Sequence, residues 1–291
     1  MTEGRMEHFK CCGEPERQIA TELCQQAGVA PGDVYYQGKA MAAVARTICA
    51  LEGDVICKLP FATTAEAEQL GAPWQFHGDT QQPVPGNLPY ERLEDVEIKD
   101  FSFDSGIIGE NLLAIKLLKA REERVSYNIE GPFTLLGLLV PSTEIYKAMR
   151  RRPELLRQLC HKLIDNIASE AAQVAAAGVD VISYADPLIS CNMVSPAIYS
   201  ELCGDIISEA LRRVIAAAPM VTVHVCSATS AGFQRAGFCH CRPHAVPKKL
   251  CYGEALCFAR QNSGVQLVGH GCLQHSCWKM AEPVVYELEL C

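Results

Sequence analysis

No run in this 291-residue chain is long and apolar enough to cross a bilayer. The first residues, Met1-Thr-Glu-Gly-Arg-Met-Glu-His8, lack the apolar core of a secretory signal. A formal net charge of -8 gives no electrostatic reason to expect nucleic acid or an anionic membrane surface as a partner. There is no low-complexity tract, no internal repeat, and no G-x-S-x-G or Walker sequence. Gly106-Ile-Ile-Gly109 does not follow a recognisable strand, so it does not read as a dinucleotide loop. These absences point to a cytoplasmic, soluble protein with neither membrane nor nucleic-acid function. A hydrophobic share of 49% is ample for a packed core.

What the chain does have is cysteine. There are 16, and eight of them fall between Cys226 and Cys291. In a small secreted protein that density would suggest a disulfide scaffold, but this chain is long and carries no export signal. Free thiols in a reducing cytoplasm are the better reading. Most pack as small hydrophobes and only a few can be ligands.

The apolar run Pro219-Met-Val-Thr-Val223 ends in His224-Val-Cys226, and Val265-Gln-Leu-Val268 ends in Gly269-His-Gly-Cys272. His224 and Cys226 are two positions apart, so they point to one face of an extended chain. Imidazole plus two thiolates is a set that zinc favours, and three protein ligands leave a fourth position open. His224, Cys226 and Cys272 are therefore the candidate metal ligands. Buried cysteine and strand-end histidine as plain core residues is the competing reading. Cys239-His-Cys241 with His244 is a rival cluster, although four residues in one short loop make tetrahedral coordination awkward. Asp186, after the run Val179 to Ala185, and Glu130, after Val125 to Ile129, are candidate catalytic or substrate-orienting carboxylates. A turn or cap role before Pro187 competes for Asp186.

The pattern predicts helices over Glu16 to Gln26 and Val34 to Leu51, a strand near Val55 to Lys58, and a loop-rich stretch from Gly71 to Tyr90. It continues with helix Gly109 to Glu122, strand Val125 to Ile129, helix Pro153 to Ala177, strand Val179 to Tyr184 and helix Pro196 to Ala217. Strand Val221 to Val225, a short strand near Gly237 to His240, helix Tyr252 to Gln261, strand Val265 to Val268 and strand Val284 to Leu290 complete it. Strands separated by helices imply parallel β-α units. Seven strands are one short of an eightfold barrel, and the missing one would lie before residue 105. The expected fold is α/β: a single (β/α)8 TIM-type barrel domain over 1–291, with an N-terminal helical segment over 1–50.

Five motifs then occur in order: Pro60-Phe-x-x-Thr-x-Glu-Ala-Glu-x-Leu-Gly-Ala72, Glu130-Gly-Pro-Phe-Thr134, Tyr184-Ala-Asp-Pro187, Ser195-Pro-x-x-Tyr199 and His224-x-Cys226. Together they resemble the uroporphyrinogen decarboxylase superfamily, and within it the methylcobamide:coenzyme M methyltransferase branch, over roughly residues 40–275. The resemblance implies a (β/α)8 barrel with its site at the carboxyl ends of the strands, and Zn2+ held by His-x-Cys and one later cysteine. By the branch's topology the later ligand is equivalent to Cys291, after the last strand. Cys272 is preferred because its strand is expected beside that of His224. The decarboxylases' Gln-Ala-Gly-Arg segment is reduced here to Gln26-Ala-Gly28 followed by Val29, which disfavours porphyrinogen decarboxylation.

The resemblance implies transfer of a methyl group from a protein-bound methylcorrinoid, as co-substrate, to a thiol or a folate. The corrinoid is expected on a separate carrier protein, because no D-x-H-x-x-G corrinoid-binding sequence is present. Two alternatives stay open: demethylation of methoxy or methylamine compounds onto the corrinoid, and a non-catalytic metal- or corrinoid-binding protein.

Overall fold

Pro153 has no N–H to contribute and a ring preset for helix, and Gly178 accepts the left-handed turn that ends one. Between them runs the longest helix of the computed structural model, which describes residues 5–6, 19–62, 65–77, 82–190 and 193–291. The helices are α1 (Thr21–Ala27), α2 (Gly38–Glu52), α3 (Ala65–Gln69), α4 (Gly106–Lys119) and α5 (Pro132–Gly137). They continue with α6 (Ser142–Arg151), α7 (Pro153–Ala177), α8 (Gly204–Ala217), α9 (Ser227–Arg235) and α10 (Tyr252–Ser263). The helix expected over Pro196 to Ala217 is present without a break: an α-helical turn, Pro196–Ile198, passes through a π-helical turn, Tyr199–Cys203, into α8. The helix expected from Val34 instead begins at Gly38, because Pro31–Tyr35 forms a 3-10 turn. Part of the helix expected over Glu16 to Gln26 lies outside the described residues; the described part is α1.

Seven strands make one sheet: β1 (Cys57–Leu59), β2 (Val125–Glu130), β3 (Val181–Ala185), β4 (Thr222–Val225), β5 (Cys239–Ala245), β6 (Leu267–Gly269) and β7 (Val284–Leu290). Their spatial order is β1-β2-β3-β4-β6-β7-β5. The first five are parallel, whereas β7 runs antiparallel to both β6 and β5. The α/β architecture and parallel β-α units are as expected; closure into eight parallel strands is not seen among the described residues. The cause lies after β6. Only the 3-10 turn Leu273–His275 and the two-residue strand Lys279–Met280 separate it from β7. A parallel return needs a crossover, usually a helix, so the chain comes back antiparallel. The strand expected before residue 105 is also absent from this sheet: Trp74–His77 pairs with Gln82–Pro85 in a separate hairpin.

Strands β3 and β4 are buried almost throughout, as parallel strands covered on both faces must be. Helix α7 packs beside β2 and against α4, α5, α6 and α8, burying Leu156, Leu159, Leu163, Ile164, Ile167, Ala171 and Val174 at the spacing of one helical face. Each fully buried leucine or isoleucine there contributes about 2 kcal/mol. This core fixes the carboxyl ends of β2, β3, β4 and β6 side by side. Among the described residues, no helix is long and apolar enough to cross a membrane.

Candidate functional site at the carboxyl ends of the strands

Parallel register lines up Asn128, Ser183, His224 and Val268 as lateral neighbours across β2, β3, β4 and β6. Glu130 pairs with Ala185 one step nearer the carboxyl ends. Asp186, Cys226 and Gly269-His-Gly-Cys272 follow where their strands end. The sequence candidates thus collect at one end of the sheet, with Cys291 as the exception. Because β7 is antiparallel to β6, it carries exposed Cys291 toward the amino ends of the parallel strands. The structure therefore does not bring Cys291 to His224, and Cys272 is the third candidate that it leaves.

His224 is 1% exposed, and neither ring nitrogen makes a hydrogen bond. Burial pushes its pKa down to about 4; the carbonyls of His224 itself and Gly271 oppose this, while His270 reinforces it. The ring is a neutral, buried imidazole whose two nitrogens make no well-formed hydrogen bond. Buried polar atoms are nearly always satisfied, and an unfilled ion site is one of the few explanations for such an exception. Tyr252, at the start of α10, meets the ring edge-on at 5.8 Å. Tyr252 also packs against Gly271, where a Cβ would collide with its ring. Burial, and behind it the charge of Cys272, pushes the Tyr252 hydroxyl up. His224, Tyr252, Gly271 and Cys272 are therefore one neighbourhood.

Cys226 is the N-cap of α9: its sulfur accepts the Thr229 N–H at 3.4 Å and lies 3.1 Å from the Thr229 hydroxyl. That hydroxyl accepts the main-chain N–H of Asp186 at 3.1 Å. The Asp186 carboxylate is fully buried and accepts the Thr134 N–H and hydroxyl at 2.8 and 2.7 Å, and the Phe133 N–H at 3.3 Å. Burial pushes its pKa up to about 7 in spite of these three donors. It packs so closely on Gly131 that a Cβ there would overlap it. Asp186 thus clamps the distant Gly131–Thr134 turn and makes no side-chain cap bond to the turn at Pro187.

Glu130 accepts the Asn128 amide at 2.7 Å and gives its own N–H to Glu66 at 3.1 Å. Glu66, Glu130 and Glu170 are all buried, and the Tyr127 hydroxyl donates to Glu170 at 2.9 Å. Burial, then the neighbouring charge of Glu66, pushes the Glu170 carboxyl far up.

The rival cluster does not assemble. Strand β5 includes all four of its residues, so Cys239 and Cys241 alternate with His240 and His244 across the sheet. His244 instead pairs with Glu287 at 2.7 Å. Cys241 meets His270 at 3.0 Å, and His270 is held from behind by Ser230. His270 adopts a left-handed φ of 64°, rare for a residue with a side chain. Neither its backbone conformation nor its reach across β7 was readable from local pattern. Tyr252 gave no more signal than the start of a helix. Thr229 was findable, three residues after a cap position.

Among the described residues, only Glu52, Asp54 and Cys277 bring three His, Cys, Asp or Glu ligand atoms within 4.8 Å of one another. Lys58 accounts for that group, with its ammonium 2.7 Å from Asp54 and 3.9 Å from Glu52. His224, Cys226 and Cys272 share one end of the sheet without being drawn that close. The neutral, buried imidazole and the two half-buried thiols fit a zinc ion as a donor set.

Comparison with known proteins bears on what such a site does. The uroporphyrinogen decarboxylase (URO-D) family matches residues 14–243. A methylcobamide:CoM methyltransferase, MtaA of Methanosarcina barkeri, is 24% identical over 234 residues, covering 79% of this chain and 68% of the relative. MtbA of Methanosarcina mazei, also a methylcobamide:CoM methyltransferase, is 27% identical over 72% of this chain and 63% of its own length. The solved structure of a methyltransferase from Methanosarcina mazei superposes with a TM-score of 0.64 at 22% identity, over 76% of this chain and 71% of that one. At that identity the likeness speaks for the fold.

Proposed function

Since the chain belongs to the uroporphyrinogen decarboxylase family, we propose that it is a zinc-dependent methyltransferase that moves a methyl group from a protein-bound methylcorrinoid to a thiol. The observation that carries this reading is the buried, neutral His224 with no well-formed hydrogen bond at either nitrogen, two positions before a half-buried thiol at a strand end. The related proteins named for transfer from methylcobamide to coenzyme M support the reaction class.

His224, Cys226 and Cys272 would hold the zinc, which when bound supplies Lewis-acid activation of the acceptor thiol. In the reaction the acceptor sulfur loses its proton and forms a bond to the methyl carbon. The cobalt–carbon bond breaks with its electron pair left on cobalt. The chain's own contribution is positional. Tyr252 and Gly271 wall the imidazole off from water. Asp186 fixes the turn beneath the site. Glu130, buried at the carboxyl end of β2, orients substrate.

The test is anaerobic methyl transfer from methylcobalamin to 2-mercaptoethanesulfonate, followed by loss of the methylcobalamin spectrum. Zinc-dependent turnover that His224→Ala abolishes is expected. Turnover unaffected by chelation and by that substitution would overturn the proposal.

A further inference from the structure

Thr229 reaches Cys226 with its N–H and its hydroxyl, and accepts the main-chain N–H of Asp186 at the same hydroxyl. A hydroxyl has one hydrogen and two lone pairs. The main-chain N–H of Asp186 can only donate, so at 3.1 Å the Thr229 oxygen must accept it. With Cys226 as a metal-bound thiolate the sulfur can only accept, so the hydroxyl hydrogen goes to it, also at 3.1 Å. The Thr229 N–H points to the same sulfur at 3.4 Å, from the first turn of the nine-residue helix α9. Thr229 is only 3% exposed, so water does not compete for these bonds.

We propose that Thr229 is a positioning residue for the Cys226 thiolate: it donates two hydrogen bonds to the sulfur and transmits the position of Asp186 to it through its hydroxyl. The inference rests on the reading of Cys226 as a metal ligand. Two thiolates and a neutral imidazole cancel the charge of a zinc ion, which would blunt its pull on an acceptor. Hydrogen bonds to one thiolate draw charge off that sulfur and restore part of the pull. The chain of contacts passes through both the side chain and the backbone of Asp186. Its side chain holds the Gly131–Thr134 turn, and its backbone sets the hydroxyl that aims at the sulfur.

The test replaces zinc with cobalt(II) in the full chain and reads the sulfur-to-cobalt charge-transfer band, alongside zinc affinity by competition with a chelating dye. Thr229→Val keeps the size and the N–H but removes the hydroxyl. It should move the band to longer wavelength and weaken zinc binding by about 10- to 100-fold. Thr229→Ser, which restores the hydroxyl, should return both to the wild-type values. Should Thr229→Val fail to fold by circular dichroism, Thr229→Ala removes the same hydroxyl and is read the same way. A band and an affinity unchanged in the hydroxyl-free variant overturn the role of Thr229 and leave the zinc reading standing. No thiolate band in the wild-type protein overturns the zinc reading and this inference with it.

Discussion

From β1 to β4 the sheet grows by parallel β-α units, each strand beside the one before it in sequence. From β6 to β5 it grows by antiparallel return, and sequence order is lost. The parallel side is buried on both faces and holds its site residues through bonds to fixed backbone, as Asp186 is held by Phe133 and Thr134. The returning side is half-solvated: β5 and β7 mix buried with exposed positions. It carries much of the cysteine. The candidate metal site straddles the seam, with His224 and Cys226 from the parallel side and Cys272 from the first turn beyond it. The parallel half thus carries two candidate donors, and the chain just beyond β6 carries the third. That division also accounts for donors that share one end of the sheet without being drawn together.

The largest effect is expected at the seam. His224→Ala should lower zinc-dependent methyl transfer by about a thousandfold or more, the loss of several kcal/mol of electrophilic assistance. Activity within tenfold of wild type would remove the seam as the site.

On the parallel side the sharpest probe is pH. Asp186 has a folded pKa of about 7 against an ordinary 3.8. The folded protein therefore keeps a proton that the unfolded chain has already lost. Its contribution is fully present below pH 4 and falls as pH rises to about 7, by up to about 4 kcal/mol. Urea denaturation from pH 4 to 8 should show this slope in wild type and lose it in Asp186→Asn. Parallel curves for the two proteins would contradict the assignment.

Gly131→Ala tests the same side by packing alone. Its methyl would occupy the space of the Asp186 carboxylate. A loss of about 2 kcal/mol is expected from urea melts at constant pH. The smallest effect belongs to the returning side away from the seam, where His244→Gln removes the pair with Glu287. A partly exposed pair of this kind is worth less than about 1 kcal/mol. A larger loss there would show that the two sides are not as different as described.

Much of the parallel side was legible in the sequence. Helix α7 runs from Pro153 to Ala177 as its proline start and glycine stop require. His224, Cys226, Asp186 and Glu130 were findable because a strand end is a local feature. On the returning side β7 spans Val284–Leu290 as expected, and the short strand expected near 237–240 falls at the start of β5; the full length of β5 and the strand order were not legible, for two physical reasons. Strand β5, with His240, Arg242, Pro243 and His244, has the composition of a loop and is a strand only because β7 pairs with it. Strand order depends on which crossovers can carry a helix, a property of whole segments. The contacts of Thr229 with Asp186 and of His270 with Cys241 are likewise set by the fold. They join residues 43 and 29 positions apart.

The most direct test of a zinc site at the seam is zinc per chain, by elemental analysis on protein purified without oxygen, beside Cys226→Ser and Cys272→Ser. Close to one equivalent in wild type, lost or sharply reduced in both variants, is the result that the account predicts. A chain that stays metal-free when zinc is supplied, or that keeps its zinc in both variants, would contradict it.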